Sequence, residues 1–175
     1  MKRKGRVLIF TGDGKGKTTA ALGMALRASG HSMRTLILQF IKANAITGEL
    51  TALKHLPGVE LIQMGRGFVP SPDNRAFAEH CEAARAGLKM ALEAIRSRQY
   101  DLIILDEICT AMAKGLLTED QVAEVIDQTH EDFCLVLTGR GATDRLISKV
   151  DTATEMRCLK HGLDVGWRAQ KGVEY

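Results

Sequence analysis

Thr11-Gly12-Asp13-Gly14-Lys15-Gly16-Lys17-Thr18-Thr19 follows the apolar run Val7-Leu8-Ile9-Phe10 and leads into Ala20-Ala21-Leu22-Gly23-Met24-Ala25-Leu26. A strand-like run, a glycine-rich turn, Lys-Thr and a helix-forming stretch, in that order, are the layout of a phosphate-binding P-loop. Backbone N–H groups in such a turn point inward, and the helix start adds positive potential, so a polyphosphate is held there. The usual pattern is G-x-x-x-x-G-K-[ST], and Thr11 stands where its first glycine belongs. Gly16-Lys17-Thr18 is intact, and Gly12 and Gly14 allow positive φ where the backbone must curl. Lys17 is expected to reach the outer phosphates as a point charge. The Thr18 hydroxyl is expected to face a Mg²⁺ ion that keeps most of its oxygen ligands as water and phosphate. The plain alternative is a glycine-rich strand-to-helix turn without a ligand.

Working outward, short apolar runs recur at separations that suit crossover helices. Candidate strands are Val7–Phe10, Thr35–Phe40, Val59–Met64, Leu102–Leu105, Cys134–Thr138 and Asp151–Arg157. Nearly continuous apolar runs such as Leu102-Ile103-Ile104-Leu105 suit strands buried on both faces. Helical patterns lie between them. Thr18–Ala28 stops before Ser29-Gly30, and Glu49–His55 stops at Pro57-Gly58. Asn74–Arg98 places Phe77, Cys81, Ala84, Leu88 and Leu92 along one face. Thr118-Glu119-Asp120-Gln121 reads as a capping box that opens a helix through Gln128. The alternation predicts one α/β domain, a mostly parallel sheet with helices on both faces.

A second signal is Leu102-Ile103-Ile104-Leu105-Asp106-Glu107. The carboxyl ends of parallel strands line the ligand crevice, so Asp106 and Glu107 are expected beside the phosphates and the metal. A third is Leu137-Thr138-Gly139-Arg140-Gly141-Ala142, which brings Arg140 to the same edge. Arg140 suits a phosphate or a carboxylate, the alternative being a tight turn with a solvent-facing arginine. A fourth is the loop Met64-Gly65-Arg66-Gly67-Phe68-Val69-Pro70-Ser71-Pro72-Asp73. Its composition suits a shaped binding loop. Phe68 offers a face to a flat ligand or else anchors the core. The tail, from Glu155 to Tyr175, carries no diagnostic chemistry.

The 175 residues carry a net charge of +3 and 45% hydrophobic residues, enough for one well-buried core. The only basic cluster is Lys2-Arg3-Lys4, expected to be solvated, so nucleic acid is not an expected partner. Cys81, Cys109, Cys134 and Cys158 are far apart, with no C-x-x-C pair. Each is expected to pack, reduced, in or near the core of a cytoplasmic protein. The five histidines show no metal-ligand spacing, and most are expected at the surface. No run is long enough for a membrane span or a secretory h-region.

The P-loop segment, Gln39-Phe40-Ile41-Lys42, Thr47-Gly48-Glu49, the Gly67-Phe68 loop, Leu105-Asp106-Glu107, Leu137-Thr138-Gly139-Arg140-Gly141 and the closing Gly172-Val173-Glu174-Tyr175 together resemble the P-loop ATP:corrinoid adenosyltransferases. The resemblance spans essentially the whole chain. It implies a RecA-like P-loop NTPase fold, a homodimer, and adenosyl transfer from MgATP to the Co(I) of a reduced corrinoid. That corrinoid is cobalamin or cobyrinic acid a,c-diamide, with an electron donor for the cobalt. The resemblance implies that Gly12, Asp13, Gly14, Lys15, Gly16, Lys17, Thr18, Thr19 and Arg140 hold the nucleotide. It makes Thr18 and Glu107 the Mg²⁺ ligands, with Asp106 beside them. Lys17, Glu107 and Phe68 are the implied catalytic residues, Phe68 packing below the corrin and excluding a lower axial ligand. It also implies a nucleotide reversed relative to common P-loop enzymes.

The sequence departs from the family in two segments. Pro70 stands where some members have tryptophan, and Lys42-Ala43-Asn44-Ala45 lacks a glycine and an aromatic. Some members also carry an N-terminal extension, whereas this sequence starts a few residues before its first strand. Two other functions compete. One is a phosphotransferase or hydrolase acting on the terminal phosphoryl group, which needs a water-positioning residue or a hydroxyl acceptor. The other is a non-catalytic ATP- or corrinoid-binding module. A nucleic-acid motor is disfavoured by the small size and the absence of a basic stripe.

Overall fold

The computed structural model describes residues 5–43 and 47–173. The Lys2-Arg3-Lys4 cluster, Asn44 and Ala45 of the departing segment, and the closing Glu174-Tyr175 lie outside the described residues. Strands β1 (Arg6–Thr11), β2 (Thr35–Gln39), β3 (Val59–Gln63), β4 (Leu102–Asp106), β5 (Cys134–Thr138) and β6 (Thr152–Glu155) form one sheet in the order β3-β2-β4-β5-β1-β6. Every pairing is parallel. The helices are α1 (Lys17–Ser29), α2 (Gly48–Leu53), α3 (Phe77–Ser97), α4 (Ile108–Ala113), α5 (Glu119–Asp127) and α6 (Asp144–Lys149), and a 3₁₀ turn follows at Gly162–Val165.

Apolar residues alternate between the two faces of the sheet, as the period-2 geometry of a strand requires. Ile9, Leu36, Leu38, Ile103, Leu105, Leu135 and Leu137 pack on one side with the buried faces of α3 and α5. Ile37, Leu102, Ile104 and Val136 pack on the other, against Ala21, Ala25 and Ala28 of α1 and Leu53 of α2. Both β2 and β4 are buried along their whole length, which accounts for their unbroken apolar runs. The alanines on α1 let the helix lie close to the sheet, so the P-loop is seated directly over the strand ends.

The predicted helix face on α3 is present. Cys81, Ala84 and Leu88 are buried, and Phe77 and Leu92 pack against the same cluster. The capping box is also present: Gln121 N donates to Thr118 Oγ1 at 3.3 Å, and Thr118 N donates to Gln121 Oε1 at 2.8 Å. Two short helices, α4 and α6, add to the predicted set. They are one to two turns long, too short to show a period in sequence. Strand β6, at one edge of the sheet, is shorter than predicted and exposed along its length. Cys158 is exposed rather than packed, and His80 is buried rather than superficial. Cys81 and Cys109 are buried, and all four cysteines are free.

Strand order decides which loops meet. Strands β4, β5 and β1 are neighbours, so the turn after β1, the acidic pair after β4 and the Gly139-Arg140 turn after β5 converge at one carboxyl edge. Strand β2 brings Gln39 beside Asp106. Strand β3, which leads to Phe68, is four places from β1, about 19 Å at about 4.8 Å per strand.

Candidate active site

The P-loop is backed by the segment that follows β6. Gly14 N donates to Met156 O at 2.6 Å, and Met156 N donates to Thr11 O at 2.8 Å. Gly12 has φ +93°, and a Cβ there would lie 2.5 Å from Met156 O. A Cβ on Gly14 would lie 2.7 Å from the carbonyl oxygens of Met156 and Arg157. Both glycines are therefore required by a neighbouring backbone, and Gly12 by its conformation as well; Gly14 does not take the expected positive φ, which falls on Gly12 and on Gly16 (φ +107°) instead. Lys17 is buried beneath the loop, and its Nζ donates to Gly12 O and Gly14 O, both at 2.6 Å. Burial lowers its pKa from the ordinary 10.5, against the opposing pull of the Glu107 charge. An ammonium held by two carbonyls in a dry setting has much to gain from an arriving phosphate.

Asp106 is fully buried. Its Oδ1 accepts from Thr18 Oγ1 at 2.7 Å and from Thr138 Oγ1 at 2.8 Å, and its Oδ2 accepts from Gln39 Nε2 at 3.0 Å. Gln39 Oε1 in turn accepts from Gln63 Nε2 at 3.0 Å. All three donors to Asp106 are neutral. The Thr18 proton is committed to Asp106, which leaves the Thr18 oxygen lone pairs free to face the pocket. A buried carboxylate with neutral donors and an oxygen lone pair in front of it fits a hard divalent cation such as Mg²⁺. Among the described residues no three His, Cys, Asp or Glu side chains gather to form a metal site. Thr18 and Glu107 both line the hollow beside the P-loop, and their side-chain oxygens could hold such an ion together with phosphate and water.

Glu107 occupies the left-handed region at φ +63°, unusual for a residue with a side chain. Its N–H donates to Thr138 Oγ1 at 2.9 Å, and its Oε2 accepts a short hydrogen bond from Thr110 Oγ1. Arg140 is exposed, with Nη1 3.8 Å from Asp13 Oδ1. Its N–H donates to Thr110 Oγ1 at 2.9 Å. Asp13 through Thr19, Glu107, Arg140 and Val173 surround a hollow of about 440 Å³.

Most of the predicted site residues thus meet. Gly12 contributes its carbonyl to Lys17, and Asp106 stands behind Thr18 rather than at the surface of the hollow. Phe68 does not join them. It is 92% exposed on its loop at the far end of the same edge. Sequence reasoning missed four contributors: Thr138, Thr110, Gln39 as the amide partner of Asp106, and the tail. A polar residue closing an apolar strand at the ligand edge is the signal that marks Gln39 and Thr138. The tail shares a second hollow of about 500 Å³ with Lys15, formed by Lys160–Leu163, Trp167–Gln170 and Val173. A third, about 480 Å³, lies beside Thr18 and Thr19 and holds the Lys42–Glu49 ion pair. A larger hollow of about 810 Å³ lies by Gly5, Arg98, Asp127 and His130, away from all P-loop residues.

A P-loop cradle over a parallel sheet, with an acidic strand end behind its threonine, defines a RecA-like P-loop nucleotide-binding protein. The fold is shared with a KaiC-like protein from Pyrococcus horikoshii (TM-score 0.55, 12% identity, 89% of this chain and 72% of that one). It is also shared with EssC from Geobacillus thermodenitrificans (TM-score 0.50, 13% identity, 97% of this chain and 35% of that one). Residues 3–175 match the ATP:corrinoid adenosyltransferase BtuR/CobO/CobP family, and the chain belongs to that family. It is 38% identical to the corrinoid adenosyltransferase of Pseudomonas aeruginosa, over 98% of this chain and 84% of that protein. The Escherichia coli K12 corrinoid adenosyltransferase is 34% identical (98% and 86%), and Salmonella typhimurium CobA is 35% identical (99% and 87%).

Proposed function

We propose that this protein transfers the 5′-deoxyadenosyl group of MgATP to the Co(I) centre of a reduced corrinoid, releasing triphosphate. The observation that carries this reading is the convergence of Lys17, Thr18, Glu107 and Arg140 on one hollow of about 440 Å³ in a member of this family. The cobalt lone pair forms the Co–C bond at the ribose 5′ carbon as the C5′–O bond breaks. The bonding electrons leave on the triphosphate oxygen.

The chain's own task is to hold the leaving group and keep the 5′ carbon open to attack. Backbone N–H groups of the P-loop surround the phosphates, and Lys17 exchanges its two carbonyl partners for phosphate oxygens. Arg140 closes the rim beside Asp13 of the loop. Preorganised positive groups of this kind stabilise charge as it develops on the departing oxygens. Thr18 and Glu107 would hold Mg²⁺, with Asp106 orienting Thr18; the ion adds charge neutralisation on the triphosphate. Fixing two large reactants in line removes a large entropic barrier, up to about 7–11 kcal/mol.

We further infer that Phe68 packs beneath the corrin. Its exposure leaves the ring face available, and the preceding Gly67 takes φ +87°. An apolar face below cobalt offers no axial ligand, which eases reduction to Co(I). The reading includes a cytoplasmic homodimer served by an external electron donor. An anaerobic incubation with MgATP and chemically reduced cob(I)alamin tests the proposal. It requires triphosphate together with the visible spectrum of a cobalt–carbon bond. ADP and phosphate would instead mean phosphoryl transfer, and binding without turnover would mean a non-catalytic module.

A further inference from the structure

The hydroxyl of Thr110 joins two strands that carry the site. Thr110 Oγ1 donates to Glu107 Oε2 and accepts from Arg140 N at 2.9 Å. The two partners sit on different strand ends, Glu107 after β4 and Arg140 after β5. The approach is close: a Cβ on Gly139 (φ +130°) would lie 2.6 Å from Thr110 N and 2.9 Å from Thr110 Oγ1. No other side chain bridges these two groups among the described hydrogen bonds. Glu107 needs such support, because its backbone already sits in the left-handed region and its N–H is spent on Thr138.

We propose that Thr110 is a positioning residue: its hydroxyl locks one carboxylate oxygen of Glu107, turns the other toward the phosphate pocket, and sets the backbone from which Arg140 reaches over the P-loop. A single rotor thereby fixes the acidic and the basic rim of the pocket against each other. The inference rests on reading the site as one for a metal–nucleotide complex, and it is independent of the acceptor.

The test uses the full-length protein without corrinoid. Mn²⁺ serves as the probe metal, its binding to the enzyme–ATP complex is followed by electron paramagnetic resonance, and thermal midpoints are recorded in parallel. Thr110→Val keeps the shape and removes the hydroxyl. It is expected to weaken Mn²⁺ binding about tenfold or more, the usual effect of losing a group that orients a metal ligand, while the midpoint stays within about 2 °C. Thr110→Ser restores the hydroxyl and is expected to recover binding to within about threefold of the parent. Unchanged Mn²⁺ affinity in Thr110→Val overturns the proposal. So do equal losses in both variants, or a loss that tracks a fall in midpoint, since packing would then be the cause. Failure of adenosyl transfer with Mn²⁺ binding behaving as described would leave this inference standing and remove only the choice of acceptor.

Discussion

Thr18 Oγ1 and Asp106 Oδ1 are joined by a 2.7 Å hydrogen bond that ties the start of α1 to the end of β4. The bond spends the hydroxyl proton of Thr18 on a carboxylate with no exposed surface, so what the Thr18 side-chain oxygen has left for the pocket is lone pair. Asp106→Asn replaces one acceptor with a donor opposite hydroxyls and an amide that already donate. The resulting mismatch is expected to cost about 1–3 kcal/mol of stability, read as a lower urea midpoint. It should also weaken Mg²⁺-dependent ATP binding. An unchanged midpoint would contradict the network as described.

Lys17→Ala removes the ammonium and leaves Gly12 O and Gly14 O without their donor. ATP affinity and turnover are expected to fall together, turnover by about 100-fold or more. Isothermal titration and initial rates check this, and retained activity would remove the P-loop from the mechanism. Because burial lowers the Lys17 pKa, the ammonium of the free protein is lost on the acid side of 10.5. ATP affinity in the parent should therefore begin to decline with rising pH before that value.

Gly12→Ala meets Met156 O at 2.5 Å and must also adopt φ +93°. It is expected to cost about 1–3 kcal/mol from the backbone conformation alone, and to disturb ATP binding. Gly23→Ala is the contrast, since nothing lies within 4 Å of its Cβ and it sits inside α1. That change should stabilise the protein by about 0.5–1 kcal/mol in thermal or urea unfolding. Equal effects of the two would refute the backbone argument.

Glu49 is paired with Lys42, and its pKa is below the ordinary 4.5. Burial, the largest single influence, pushes it up, but the hydrogen bonds and charge of Lys42 and the local backbone together outweigh it. A depressed carboxylate contributes stability above its unfolded value and loses it as pH falls through the folded one. The acid limb of the stability profile below pH 4.5 should accordingly be shallower in Glu49→Gln. A superimposable limb would show that the pair contributes nothing to acid sensitivity.

Phe68→Ala is expected to leave stability within about 0.5 kcal/mol, because the ring is exposed. The rate starting from Co(II) should fall more than the rate starting from pre-reduced Co(I). Equal losses on both routes would argue against packing beneath the corrin.

The P-loop and the acidic strand end were legible because each is a local pattern: glycines, Lys17-Thr18 and an apolar run ending in Asp106-Glu107 are contiguous in the chain. The strands were legible for the same reason, their apolar residues being adjacent. Thr110 was not, since a threonine inside Ile108–Ala113 acquires meaning only from what lies across the sheet; Gln39 and Thr138 carry a local mark, a polar residue closing an apolar strand, but their shared partner Asp106 is fixed by strand order. The tail was opaque for a similar reason. Val173 and Met156 look ordinary in sequence, yet one borders the hollow beside the P-loop and the other accepts from the P-loop backbone.

Sequence alone determined the ligand class and the layered α/β architecture, because phosphate recognition by backbone N–H groups and burial of strands on both faces are written in short-range residue order. Tertiary structure decided how the site is assembled. The order β3-β2-β4-β5-β1-β6 sets Asp106, Thr138 and the P-loop side by side and leaves Phe68 at the far end. Strand order arises from how crossover helices pack across the whole sheet, and no local stretch of residues encodes it.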